Sequence, residues 1–241
     1  MFLVSFAMHA SVFAQASGDI IGVTIGMTAD QAREVLKKSG TPFKFFEVRY
    51  QAQSGIPESL AFINACASDN PPGSKYCFNT HGVGSDQVLV AFGQMSGRVF
   101  FVRRSWEPAK TAQPLLENVE KAVLEKYTGL KKFGESSSGG RPTGRSYMNA
   151  NDLNGRPSTP CAPALDLGIP NTAKSNCGAA SAARFEFEGE LPKLKKLEIG
   201  IYDHRVLLAD IKQSNEILSG AANKQKAVEE DAARKVVGPK L

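Results

Sequence analysis

Two local pairs of cysteines constrain the fold of this 241-residue chain more than any other feature of its sequence. Cys66 and Cys77 form one pair, and Cys161 and Cys177 form the other. Neither pair has the Cys-x-x-Cys spacing typical of zinc or thioredoxin-like sites. Of the three possible connectivities we expect 66–77 and 161–177, because each bond closes a short loop rich in Gly, Pro, Asn and Ser. Such disulfides persist outside the cytoplasm.

The first residues of the chain also indicate export. Residues 2–14 are mostly apolar, but this stretch is shorter than the roughly 20 residues that span a bilayer. The sequence Ala14-Gln15-Ala16 is a small-x-small cleavage signature and is followed by polar residues, although a basic n-region is missing. We expect a signal peptide over 1–16, cleaved near Ala16, and a periplasmic or secreted mature chain without a transmembrane segment. A buried strand is the alternative.

The rest of the sequence shows one order of elements twice. Each copy is predicted to contain a helix, a strand, a cysteine loop and two further strands. The first copy combines a helix that begins at the capping box Thr28-x-x-Gln31 with strands at 43–50, 87–92 and 98–106. The second combines a helix between Pro114 and Gly129 with strands at 144–150, 184–188 and 197–201.

This repetition predicts an α+β fold. We expect a tandem repeat of two helix-plus-antiparallel-sheet units, 17–110 and 111–203, followed by a C-terminal helix and tail over 204–241. Asp203 is the expected N-cap of that last helix. The hydrophobic content of 42% excludes a disordered or collagen-like chain and suffices for a buried core.

Residues 21–28, Ile-Gly-Val-Thr-Ile-Gly-Met-Thr, together with the short amphipathic helix and the strands after them, resemble the Gly-Met-Thr entry of a known small fold. The small outer-membrane-assembly lipoproteins contain this fold once, and the beta-lactamase inhibitory proteins contain it twice in tandem. The resemblance implies an inhibitor or an envelope-assembly partner with one short-range disulfide in each repeat. The second unit lacks Gly-Met-Thr before its helix and the cysteine loops are long, so no inhibitory contact residue carries over.

Motifs for catalysis or cofactor binding are scarce. His81 and His204 are far apart and have no zinc-binding spacing, and the sequence lacks a nucleophile elbow, a P-loop and a Rossmann glycine motif. We therefore expect a non-enzymatic binding protein with neither metal nor cofactor. The alternative is an envelope-polymer hydrolase or modifying enzyme. That enzyme would require four residues to converge in a deep cleft: Glu186, Glu188, Asp203 and His204.

A basic stretch rich in glycine and serine lies between residues 126 and 156 of this chain, whose net charge is +5. We expect a mobile loop over 131–145 that contacts another protein or an anionic envelope component, with an ordinary charged surface loop as the alternative. Nucleic acid is not expected, because few aromatic residues are available for stacking. Aromatic residues on the neighbouring strands alternate between both sheet faces, so some either remain exposed or are covered by the second unit or the C-terminal helix. The predicted partner surface consists of Trp106, Phe100, Phe101, Lys131, Lys132, Arg141 and Arg145.

Overall fold

The computed structural model describes residues 18–53, 55–67, 84–163, 165 and 173–235. Within these ranges the helices and strands are, in chain order, α1 (Ala29–Lys38), β1 (Lys44–Tyr50), β2 (Ser59–Ala67), β3 (Ser85–Phe92), β4 (Val99–Glu107), α2 (Leu116–Lys126), β5 (Lys131–Ser138), β6 (Arg141–Asp152), β7 (Cys177–Glu188), β8 (Lys193–Asp203) and α3 (His204–Lys235). All eight strands belong to one antiparallel sheet in the order β1-β2-β3-β4-β8-β7-β6-β5.

This single sheet shows that the predicted pair of repeated helix-plus-sheet units is wrong. Strand β4 pairs with β8, so that Phe101 lies opposite Tyr202 and Trp106 lies opposite Leu197. An unpaired β4 or β8 would expose a row of backbone N–H and C=O groups, and their pairing removes both edges. The two halves therefore share one continuous sheet.

The start of α1 follows the prediction from the sequence. The hydroxyl of Thr28 accepts a hydrogen bond from the backbone N–H of Gln31 at 3.3 Å, and the side chain of Gln31 accepts one from the backbone N–H of Thr28 at 2.9 Å. Both bonds of a capping box are therefore formed. Ala32 and Leu36 form the buried stripe that holds the helix on the sheet.

The two faces of the sheet are covered by different helices. On one face, which we call the helix face, α1 and α2 pack over the main core, which includes Val88, Val90, Val102, Phe185, Leu197 and Ile201. On the opposite face, which we call the α3 face, α3 packs through Leu207 over a smaller cluster that includes Leu89, Phe100, Phe101 and Tyr202. Alternation along the strands divides the apolar residues between these two cores. A bulge in β4, opposite Ala91 and Phe92, places the adjacent residues Phe100 and Phe101 in the same cluster.

Two segments that were predicted as loops contain strands. The segment that carries the first cysteine contains β2, whose residues 63–66 are buried. The predicted mobile loop at 131–145 is a β-hairpin formed by β5 and β6, which turns at Gly139 and Gly140. Both glycines have positive φ, 58° and 77°, as the tight turn between two paired strands requires.

Cysteine pairing is confirmed for the second pair. Cys161 and Cys177 are disulfide-bonded, with their Cα atoms 5.5 Å apart. Cys66 is also disulfide-bonded, but its predicted partner, Cys77, lies outside the described residues.

The predicted signal peptide at 1–16 also lies outside the described residues. None of the helices in the described part of the chain combines the length and apolar character that a bilayer crossing requires.

Candidate ligand-binding groove

An open groove with a volume of about 460 Å³ lies between α2 and the centre of the helix face. We call it the α2 groove. Its floor is formed by Trp106 of β4 and by Leu197 and Ile199 of β8. One wall is α2, and the other is the turn that precedes α1 and carries Ile20 and Ile21. The groove is therefore built from four segments, the turn, β4, α2 and β8, and its floor forms because β4 pairs with β8.

The alternation of β4 places a cation beside the aromatic floor. Arg104 and Trp106 are two residues apart and share the helix face, where they lie opposite Ile199 and Leu197. The guanidinium carbon of Arg104 is 5.8 Å from the centre of the Trp106 ring, within range of a cation–π interaction. Trp106 is half-buried and is the single tryptophan of the chain.

A buried carboxylate fixes the orientation of Arg104. Asp86 of β3 accepts two hydrogen bonds from this guanidinium, from Nε at 2.8 Å and from Nη2 at 2.7 Å. This two-point contact holds the planar group in one position. Within the described ranges, Nη1 of Arg104 donates to no protein acceptor and remains available to a ligand.

The turn that forms the second wall is strained. Ile20 and Val23 exchange two backbone hydrogen bonds of 3.0 Å, and Ile21 and Gly22 at the turn's centre have φ values of 52° and 80°. A β-branched residue in the left-handed region is a genuine outlier and costs about 1–3 kcal/mol. The surrounding structure therefore imposes a conformation that Ile21 does not favour, and the side chain lines the groove.

Asp19 connects this turn to the end of α2. Its carboxylate accepts a hydrogen bond from the backbone N–H of Gly22 at 2.5 Å and one from Lys126 at 3.0 Å. Partial burial opposes ionisation of Asp19, but the bonds from Lys126 and Gly22 outweigh it and lower the pKa of this carboxyl. The hydroxyl of Tyr127 donates to the backbone oxygen of Asp19 at 2.7 Å, and burial raises the pKa of that hydroxyl. Asp19 thus orders both the turn and the cation at the rim.

The charge of the groove lining has one sign. Arg104 and Lys126 line the groove, whereas the carboxylates that orient them, Asp86 and Asp19, do not. The remaining lining residues are apolar or aromatic except for Asn118. An apolar floor with cationic groups beside it can hold a molecule that has an apolar body and a polar or negatively charged end.

The predicted partner surface does not form as one surface. Phe100 and Phe101 are buried, and the ring of Phe101 packs edge-on against Tyr202 with ring centres 6.1 Å apart. The prediction of exposed aromatics is wrong for these two residues, because α3 covers them. Trp106 lies on the other face, in the α2 groove.

The predicted basic residues are distributed over the far edge of the sheet. Lys131 and Lys132 are exposed on the edge strand β5, and Arg141 is exposed at the start of β6. Arg145 instead has a structural role, since it donates to Glu120 of α2 at 2.7 Å and its guanidinium carbon lies 5.4 Å from the centre of the Phe187 ring. These residues therefore do not form a continuous surface with Trp106.

The four residues that the enzyme alternative requires do not converge. Glu186 lies opposite Lys196 and Asp203 lies opposite Ala179, so the two carboxylates are at opposite ends of β7 and β8, roughly 23 Å apart at 3.3 Å per residue. Glu188 is beyond Glu186 on the same strand.

His204 is buried and both of its ring nitrogens contact backbone groups. Nδ1 accepts a hydrogen bond from the backbone N–H of Lys174 at 3.1 Å, and Nε2 lies 3.2 Å from the backbone oxygen of Cys161. The accepting role of Nδ1 makes Nε2 the donor of the neutral ring. His204 therefore connects the disulfide-bonded segment to the junction of β8 and α3. Within the described ranges, no cluster of potential metal ligands forms.

A larger cavity of about 620 Å³ lies beside the hairpin of β5 and β6, and we call it the polar shelf. Its lining includes the charged residues Glu135, Arg184, Glu186 and Lys195 together with several serine and threonine hydroxyls. This lining therefore carries charges of both signs. The α2 groove is smaller, but it alone of the two combines an apolar floor with charges of one sign.

Comparison with known proteins adds no relative, because no family model, curated protein or solved structure matches this chain. The resemblance to the beta-lactamase inhibitory proteins and the outer-membrane-assembly lipoproteins therefore stays a prediction.

Of the residues that line the groove, the sequence indicated Trp106 as a candidate but not Arg104 or Ile21. The signal for Arg104 was present in the two-residue spacing along β4, whereas no local signal placed the N-terminal turn over β8.

Proposed function

We propose that this chain is an exported, non-enzymatic binding protein that holds a small amphipathic ligand in the α2 groove. The observation that carries the proposal is the apolar floor of the groove, where the half-buried Trp106 remains open to solvent at the centre of the sheet. Small-molecule sites are concave, mostly apolar and equipped with a few oriented polar groups. Arg104, held by Asp86, is such a group.

Two further features support the proposal. Strained backbone is concentrated at sites where a protein binds or acts on a ligand, and Ile21 is such a residue in the groove wall. The disulfide between Cys161 and Cys177 is consistent with a compartment outside the cytoplasm.

Trp106 provides a direct test, because it is the only fluorophore of its kind in the chain and lies in the groove. We expect the neutral dye N-phenylnaphthylamine to bind saturably and to quench the emission of Trp106 by energy transfer. Ala122 lines the groove from α2 and is exposed, so Ala122→Phe should fill the groove and weaken dye binding at least about tenfold, the equivalent of 1.4 kcal/mol.

The matched control is Lys121→Phe, which adds the same ring to the neighbouring exposed residue, outside the groove lining. It should bind the dye like the wild type. The proposal is wrong if the wild type shows no saturable energy transfer, or if Ala122→Phe and Lys121→Phe bind the dye equally well.

A further inference from the structure

We infer that the α2 groove selects a single-chain amphiphile with a carboxylate head over a neutral amphiphile of the same length. This inference rests on the proposed function and adds the chemical class of the ligand. It is carried by the position of two cations, Arg104 and Lys126, around an apolar floor whose lining contains no carboxylate.

Arg104 supplies a preorganised donor for the head group. Because its Nε and Nη2 atoms are bound to Asp86, its orientation is set before any ligand arrives. Its side chain is 29% exposed, and Nη1 has no protein acceptor among the described residues. A carboxylate that reaches Nη1 gains a charge-assisted hydrogen bond without the entropic cost of ordering a free arginine.

Lys126 supplies the second, more mobile charge. Its ion pair with Asp19 is solvent-exposed, with 45% of the lysine side chain and 36% of the aspartate side chain accessible. Exposed pairs of this kind contribute little stability, so a ligand carboxylate can share the ammonium group with Asp19 at small cost. Lys126 has three N–H donors and can contact both carboxylates.

The size of the groove argues for one hydrocarbon chain. Its volume of about 460 Å³ lies in the lower half of the range of about 300–1,000 Å³ found for small-molecule sites. The floor formed by Trp106, Leu197 and Ile199 offers apolar contact for the chain. Each buried CH₂ group adds about 0.8 kcal/mol on the transfer scale, so a chain of moderate length binds measurably.

The test uses two ligands that differ only in the head group. Dodecanoic acid and dodecanol have the same chain, and each is titrated against the wild type with N-phenylnaphthylamine bound. Both should displace the dye from the full chain near neutral pH, below their aggregation concentrations, and so restore the emission of Trp106. The acid should bind about tenfold more tightly, as one charge-assisted hydrogen bond predicts.

Three variants connect this preference to the two cations. Lys126→Gln should reduce the ratio of acid to alcohol affinity to about threefold, because one exposed charge is lost. In Arg104→Gln combined with Asp86→Asn the ratio should also fall to about threefold, because Lys126 is still present, and the second substitution avoids leaving a buried carboxylate without its partner. Lys121→Gln, exposed on α2 outside the groove lining, should keep the wild-type ratio. Circular dichroism verifies that each variant is folded.

The outcomes separate the inference from the proposed function. Equal affinity of the wild type for acid and alcohol overturns the inference and leaves the binding function in place. Failure of the wild type to bind the dye overturns both, and failure of the acid and the alcohol to displace a bound dye overturns the inference alone. A preference for the acid that stays near tenfold in both the Lys126 variant and the Arg104–Asp86 variant assigns the selection to charges elsewhere and overturns the inference.

Discussion

The carboxylate of Asp210 accepts a hydrogen bond from the backbone nitrogen of Ser96 at 2.7 Å, although the two residues are 114 positions apart in the sequence. The same carboxylate accepts from the backbone nitrogen of Met95 at 3.0 Å. A Cβ atom on Gly93 would lie only 2.4 Å from Oδ1 of Asp210, so this turn requires glycine for the close approach. Asp210 is buried and fastens α3 to the turn between β3 and β4.

Replacement of Asp210 should remove the contact between α3 and the turn that joins β3 to β4. We expect Asp210→Ala to lower the free energy of unfolding by about 2 kcal/mol, because the backbone N–H groups of Met95 and Ser96 lose a charged acceptor. Urea denaturation followed by circular dichroism measures the change. Lys212→Ala, at an exposed position of the same helix, should stay within about 0.5 kcal/mol of the wild type. Similar midpoints for the two variants would contradict the structural role of Asp210.

Substitution of Arg145 should lower the free energy of unfolding more than substitution of Arg141, although both residues belong to the predicted partner surface. Arg145→Ala leaves Glu120, whose side chain is only 13% exposed, without its cation, and we expect a loss of about 2 kcal/mol. Arg141 is exposed, so Arg141→Ala should change the free energy of unfolding by less than about 0.5 kcal/mol. Chemical denaturation of both variants in parallel distinguishes them, and equal effects would show that Arg145 does not link β6 to α2.

The stability of the chain should depend on pH through His204. Burial lowers the pKa of this imidazole from its ordinary value of 6.5, and the charge of Lys174 adds to this effect, while the bond to Cys161 and the charge of Asp203 oppose it. As the pH falls below about 6.5, the unfolded chain binds a proton that the folded chain does not, so stability decreases until the lowered folded pKa is reached.

His204→Gln should remove this component of the pH dependence. Unfolding measured between about pH 7.5 and 5.5 should show a slope of up to about 1.4 kcal/mol per pH unit in the wild type and a flatter profile in the variant. The variant is less stable at the upper end of this window, because Nδ1 no longer accepts from Lys174. Parallel profiles would exclude His204 as the group responsible.

Ile21 offers a way to separate stability from binding. We expect Ile21→Asn to keep the wild-type stability, because asparagine tolerates the left-handed region and relief of about 1 kcal/mol or more of strain offsets the lost apolar contact. Binding of the neutral dye should weaken, since a groove wall becomes polar. The same substitution at Ile25, which is also half-buried but has no positive φ, should lower the free energy of unfolding by about 1–2 kcal/mol. An equal loss in the free energy of unfolding at both positions would show that the backbone at Ile21 is not strained.

Loss of the disulfide between Cys161 and Cys177 should lower the free energy of unfolding. With a sequence separation of 16 between the bonded cysteines, a chain-entropy model predicts that Cys161→Ala combined with Cys177→Ala lowers the free energy of unfolding by about 3 kcal/mol, which thermal and urea unfolding measure. Peptide mapping without reductant should recover the bond between residues 161 and 177 and tests the predicted bond between Cys66 and Cys77. Crossed links would contradict the local pairing.

Local signals in the sequence predicted local structure well. The capping box of Thr28 and Gln31 acts within one turn of helix, and the alternation at 184–188 lies within β7. The neighbour of each strand was not predictable in this way, because alternation identifies a face but not a partner. The hairpin at 131–145 was misinterpreted as a loop because β5 is exposed almost throughout and so carries no apolar alternation.

The candidate site was only partly predictable for the same reason. Trp106 was predictable as a candidate because it is a large aromatic residue on a predicted strand. Arg104 is two residues away on the same strand and therefore lies on the same face of the sheet. The groove itself depends on β8 and on the turn at Ile21, and no local pattern indicated that either would meet β4. Phe100 and Phe101 were included in the predicted surface because alternation along the strand does not decide between exposure and cover by the C-terminal helix, and α3 covers them.

The pairing of β4 with β8 also determines when the molecule can be completed. During synthesis, residues 99–107 emerge long before residues 193–203, so the free edge of β4 has no neighbour until nearly the whole sheet sequence is present. Contacts of such large sequence separation form slowly, and an unpaired apolar edge in the meantime favours aggregation. A chain that stops before β8 keeps this edge open and lacks Leu197 and Ile199 of the groove floor. The proposed binding at Trp106 therefore requires a chain that has been made through β8.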